Sequence, residues 1–111
     1  DNPNVILCER GIYPLDKTYT RYTLDVSAIP VAKYISHLPV IVDPSHAAGD
    51  WKYVSALARA GIAAGADGLI VEIHPCPAEA LCDGPQALRF EVFNEMCSQV
   101  AQIATALGRT A

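Results

Sequence analysis

The chain has 111 residues, of which 51% are hydrophobic and 18% charged, a composition that excludes a disordered tail. That length holds one domain at most, whereas a complete (β/α)8 barrel needs roughly 250 residues. Twelve acids against eight bases leave a net charge of −4; there is no basic stripe for a nucleic-acid partner and no apolar run near the roughly 20 residues that cross a membrane.

In chain order, the first predicted element is a strand at residues 5–8, Val-Ile-Leu-Cys, which passes into Glu9-Arg10-Gly11. A modest helical pattern covers residues 26–36. The second strand, Val40-Ile41-Val42, leads into Asp43-Pro44-Ser45-His46. Asp50 is placed to cap a clearer helix at 51–64, with an apolar stripe of Val54, Leu57, Ala58 and Ile62 and with Gly65 as its left-handed stop. The third strand, Leu69-Ile70-Val71, runs into Glu72-Ile73-His74-Pro75. A last helix is predicted at 90–107 along Phe93, Met96, Val100, Ile103 and Leu107, with Cys97 in the core and Gly108 as its stop. The three strand runs are continuously apolar rather than alternating, which suits parallel strands buried on both faces. Three successive β-loop-α units argue an α/β fold in one domain over 1–111.

The chain opens Asp1-Asn2-Pro3 and shows no signal peptide, so it is expected to be processed or cut from something longer. Its four cysteines, Cys8, Cys76, Cys82 and Cys97, form no CxxC or zinc-finger spacing. A reduced, cytoplasmic protein is the expectation.

In βα folds the functional side chains gather beyond the carboxyl ends of the strands, and here all three strand ends carry charge. Glu72 and His74 stand two apart, so on an extended segment they share a face. His46 ends the neighbouring strand by the same logic, and Asp83 follows 11 residues after Glu72. One imidazole and two carboxylates suit Mn2+, Fe2+, Co2+ or Zn2+; an ordinary polar rim with Asp83 opening a turn fits the same residues. Arg10 presents a fork for a phosphate or carboxylate, or else pairs with Glu9. Arg21, in the hydroxyl-rich run Thr18 to Thr23, reads as a phosphate cradle or as a solvated loop. Asp43, Ser45 and His46 are too close in sequence for a nucleophilic triad, and Ser45 lacks a glycine-flanked elbow.

Taken together, these segments resemble one family. Ile6-Leu7-Cys8-Glu9-Arg10-Gly11 is similar to the ILCERG signature of 3-deoxy-D-arabino-heptulosonate 7-phosphate (DAHP) synthases, in the microbial subfamily related to the octulosonate 8-phosphate enzymes. The run from Arg21 to Pro30 resembles that family's TRNTLDISAVP segment. His37-Leu38-Pro39, the strand, and Asp43-Pro44-Ser45-His46 resemble its HLP and DPSH segments, and Gly65-Ala66-Asp67-Gly68, Glu72-Ile73-His74-Pro75 and Asp83-Gly84 its final strand and loop.

The resemblance implies the last three βα units, the sixth to the eighth, of a (β/α)8 TIM barrel, incomplete as given. It implies condensation of phosphoenolpyruvate with erythrose 4-phosphate to DAHP and phosphate, at the entry to the shikimate route to aromatic amino acids. A divalent metal would be held by His46, Glu72 and Asp83, together with a cysteine from an upstream strand. Arg10 would bind phosphoenolpyruvate with Glu9 beside it as the catalytic pair, and Arg21, Asp43 and His74 would contact substrates. The implied partners are the remainder of the barrel or another subunit in a homo-oligomer, and the 111 residues alone are expected to be inactive. The sequence departs from the family in Tyr13-Pro14, Tyr22 and Asp50-Trp51-Lys52. Other classes weighed are a non-catalytic interaction module, a stand-alone metal-binding protein and an octulosonate 8-phosphate synthase.

Overall fold

The computed structural model describes residues 2–80 and 84–110. Three parallel strands lie in the order β1-β2-β3: β1 is Leu7–Glu9, β2 Val40–Val42 and β3 Gly68–Leu69. Leu7 pairs with Val40 and Glu9 with Val42, while Ile41 pairs with Gly68 and Val42 with Leu69. Among the described residues there are four α-helices, α1 Ala28–Ile35, α2 Pro44–Ala48, α3 Trp51–Ala63 and α4 Phe90–Ala106, and two short 3-10 turns at Pro77–Glu79 and Gly84–Gln86. Consecutive parallel strands joined through helices are the α/β units expected from the sequence.

β2 coincides with its apolar run, while β1 and β3 are shorter than theirs and shifted along them. Among the described residues both lie at the edges of the sheet and ladder with β2. Full burial on both faces fails at β1, where Ile6 is exposed and Leu7 only partly buried. In β2, Val40 and Val42 are buried against the helices, and Ile41 on the opposite face is partly exposed. A Cβ on Gly61 would lie 3.0 Å from a Val42 methyl, so α3 packs closely on the sheet at this point and any side chain there would have to displace Val42 slightly.

Ile29, Val40, Val42, Ile62, Ala66 and Ala104 form one buried cluster beneath α1, α3 and α4. Ala48, Val54, Ala58, Leu88 and Met96 form a second, next to the carboxyl end of the sheet. Asp50 caps α3 by accepting from the Lys52 N–H at 3.0 Å, and Gly65 and Gly108 take the positive φ expected after α3 and α4. Cys97 is exposed, against the expectation of a core position. The inward line of α4 runs Met96, Val100, Ala104 at a spacing of four, and Cys97 lies about 100° round the helix from Met96, on the exposed side.

At the amino end of the sheet Asp67 fastens four segments. Its Oδ2 accepts from the Val40 N–H at 2.8 Å and Lys33 Nζ at 2.7 Å, and its Oδ1 accepts from Arg109. Arg109 also donates to the carbonyls of Gly65 and Ala66. Burial by itself raises the Asp67 pKa, but the bonds from Lys33, Val40 and Arg109 outweigh it and hold the group at about 2.

Candidate active site

The opposite, carboxyl end of the sheet carries the candidate site. Asp43 follows β2 directly, and its backbone N–H donates to the Glu9 carbonyl at 2.8 Å, tying the ends of β1 and β2 together. The next residue is Pro44, at the first helical position of α2. Asp before Pro is a strong helix start, so the segment read from sequence as a loop winds at once into a five-residue helix. Asp43 Oδ1 accepts from the His46 backbone N–H at 3.0 Å, and its Oδ2 lies 2.6 Å from His46 Nδ1. A carboxylate only accepts, so the imidazole donates from Nδ1. His46 therefore stands on the first turn of a helix rather than on a strand end.

Arg10 Nε lies 3.8 Å from the same Asp43 oxygen; the Asp43 side chain is 7% exposed and that of Arg10 59%. The alternative Arg10–Glu9 pairing does not form. Glu9 instead accepts from the Asp25 N–H at 2.8 Å and holds the loop that enters α1. Burial, and then the neighbouring Asp43 charge, push the Cys8 thiol pKa up, which keeps it protonated.

The loop after β1 doubles back on α2. Ile12 and Thr23 exchange backbone bonds, and the N–H groups of Arg21 and Tyr22 donate to the Ala48 and Ala47 carbonyls at 3.0 and 2.8 Å. Those are last-turn carbonyls of α2, which lack helical partners of their own. Gly49 ends α2 at φ +67, and a Cβ on it would come within 2.6 Å of Arg21 Cβ. The Arg21 guanidinium rests 5.6 Å from the Tyr22 ring, and Lys17 lies 4.8 Å from the Tyr13 ring and 5.5 Å from that of Tyr22. Lys17 was not singled out from the sequence, because stacking on two rings from a folded-back loop has no local pattern.

Ser45 is fully buried and accepts from the Glu72 N–H at 3.0 Å. Its hydroxyl thus bolts the end of the third βα unit to α2, beside His46, a structural role that the sequence pattern, which excludes a nucleophile here, does not reveal. Beyond β3 the chain leaves β2 and pairs with Leu88, which donates to the Glu72 carbonyl and accepts from the His74 N–H, both at 2.9 Å. Residues 72–74 are therefore extended, as the shared-face expectation requires, but against Leu88 rather than as part of β3. His74 Nδ1 accepts from the Cys76 N–H at 2.9 Å, so that nitrogen carries no proton. Asp83 lies outside the described residues, as does Cys82. Among the described residues no three His, Cys, Asp or Glu side chains gather as a metal site.

The model for the DAHP synthetase I family matches residues 1–109. The chain belongs to that family. It is 52% identical over 107 residues to the phospho-2-dehydro-3-deoxyheptonate aldolase of Thermotoga maritima, covering 96% of this chain and 31% of that protein. It is also similar to 2-dehydro-3-deoxyphosphooctonate aldolases, at 40% identity for Erwinia tasmaniensis, with 92% of this chain and 39% of the relative covered. The crystal structure of the Thermotoga maritima DAHP synthase superposes with a TM-score of 0.91 at 52% identity, over 95% of this chain and 31% of the other. A truncated form of that synthase gives the same TM-score and covers 40% of its chain. The three βα units are thus a segment of the family's TIM barrel, and the chain spans about a third of the length of the relatives it matches.

Proposed function

We propose that the protein is a DAHP synthase that joins phosphoenolpyruvate to erythrose 4-phosphate, with β1, β2 and β3 as the sixth to eighth strands of its barrel. The observation that carries this reading is the meeting of Arg10, Asp43 and His46 at the carboxyl end of one parallel sheet, with the Glu72 backbone tied beside them through Ser45. The donor set suits a divalent metal such as Mn2+, Fe2+, Co2+ or Zn2+. A ligating imidazole ordinarily donates its other ring N–H to a carboxylate, and Asp43 supplies that arrangement for His46. His46, Glu72 and Asp83 would hold the ion, which when bound polarises the sugar aldehyde as a Lewis acid.

Arg10, largely exposed, offers its guanidinium to the phosphoenolpyruvate anion. As the enol carbon bonds to the aldehyde carbon, positive charge develops on the adjacent carbon and water adds there. Glu9, fixed by the Asp25 N–H, is positioned to stabilise that charge and take the proton of the water. The resulting hemiketal phosphate then expels inorganic phosphate. Arg21 is the candidate contact for the second phosphate, and His74 lines the same end of the sheet. The edges of β1 and β3 would be covered by the remainder of the barrel, in a cytoplasmic homo-oligomer.

Loss of phosphoenolpyruvate absorbance by the intact protein with erythrose 4-phosphate and Mn2+ tests this reading. Turnover that disappears in Arg10→Met supports it. An octulosonate-type enzyme makes an eight-carbon product and so needs a five-carbon aldehyde; activity only with that aldehyde would replace the assignment.

A further inference from the structure

Arg10 and His46 meet on Asp43. Its Oδ2 is shared, with His46 Nδ1 at 2.6 Å and Arg10 Nε at 3.8 Å, while Oδ1 is committed to the His46 backbone N–H. With the side chain 7% exposed, solvent does little to replace either partner. An oxygen shared between two donors divides its charge between them, so whatever draws one donor away leaves more for the other. Arg10 is the movable donor, because its contact is longer than a hydrogen bond and its side chain is mostly in solvent. His46 is the fixed donor, because both its backbone and its ring are bound to the same carboxylate.

Resting on the reading that Arg10 takes the phosphoenolpyruvate anion and His46 a divalent cation, we propose that Asp43 is a positioning residue that couples the two. Phosphoenolpyruvate draws Arg10 off the shared oxygen, the His46 imidazole gains the whole carboxylate, and its ring becomes a better ligand. The cation is then bound more tightly, and by linkage it tightens phosphoenolpyruvate by the same factor.

The test is Mn2+ binding to the intact protein, read from the electron paramagnetic resonance signal of the free ion with and without phosphoenolpyruvate. In the wild type phosphoenolpyruvate tightens Mn2+ severalfold. Asp43→Asn keeps a helix-capping oxygen but carries no charge to share. Its Mn2+ Kd rises about 10- to 100-fold, and the tightening by phosphoenolpyruvate falls to less than half. Arg10→Gln, at an exposed position, imitates the drawn-off state and tightens Mn2+ before any phosphoenolpyruvate is added. If Asp43→Asn does not fold, the Arg10→Gln arm decides alone. Equal tightening in wild type and Asp43→Asn, or unchanged Mn2+ affinity in Arg10→Gln, overturns the coupling while wild-type turnover leaves the function standing. Wild-type protein that binds neither Mn2+ nor phosphoenolpyruvate overturns the functional reading underneath.

Discussion

The two ends of this sheet are each organised by an aspartate, and the two carboxylates are used differently. Asp67 binds groups 27, 34 and 42 residues away, and each of its bonds joins separate parts of the chain. Asp43 binds a residue three positions on, at two atoms, and reaches Arg10 only at 3.8 Å. The first arrangement resists opening, because a long loop must be reordered to remake it. The second orients one ring and leaves one cation able to leave. On the proposed function, stability and chemistry lie at opposite ends of the strands, as in βα folds where one end of the strands carries the chemistry.

The largest effect that sharpens this contrast is His46→Ala. It should lower kcat about 1000-fold, the scale of losing a metal's several kcal/mol of charge stabilisation, and lower stability by only about 1 kcal/mol, the loss of one bond to the buried Asp43. A large stability loss in that variant would break the separation of roles.

Asp67→Ala should do the reverse. It orphans the Val40 N–H, frees Lys33, leaves Arg109 only its two carbonyl bonds, and should cost about 2 kcal/mol, measured by urea unfolding, with kcat unchanged in the folded protein. The pH dependence has a definite sign. The Asp67 pKa is lowered from 3.8 to about 2, so its contribution is complete above about pH 4 and is lost as pH falls through about 2. Asp67→Ala should flatten the stability slope across that acid window; an unchanged slope would show that the clamp is not what titrates.

A smaller effect is expected from Gly49→Ala, which places a Cβ at positive φ and against Arg21. It should cost about 1 kcal/mol and raise KM for the sugar phosphate more than that for phosphoenolpyruvate, because Arg21 moves and Arg10 does not. The smallest belongs to Lys17→Ala. Its stacking on Tyr13 and Tyr22 is exposed and is worth about 0.5 kcal/mol, so a two- to threefold rise in the sugar-phosphate KM, weakened by salt, is the result to look for in steady-state kinetics.

Much of the fold was legible in the sequence. The Asp50 cap, the stripe through Val54, Ala58 and Ile62, the stops at Gly65 and Gly108 and the three apolar strand runs all act through neighbours within a few residues. The misses have a common physical origin. Cys97 was placed in the core because a stripe drawn from apolar residues does not reveal which line of α4 meets β3 and α3. The two-sided burial predicted for every strand holds best at β2, since an edge strand and a central strand share the same local composition. The Asp43-Pro44 helix start was legible in principle but was read for its chemistry instead of its backbone.

The sequence by itself determined the α/β class, the order of its units, the family and the residue types at the strand ends, because these rest on periodicity, capping and short motifs. Only the tertiary structure decided who pairs with whom: Asp43 with Arg10 and His46, Ser45 with Glu72, Asp67 with Lys33, Val40 and Arg109, and Lys17 with Tyr13 and Tyr22. Most of these partners lie far apart in sequence. Such contacts form when packing of the helices on the sheet brings distant segments within bonding reach, and no window of neighbouring residues carries that information.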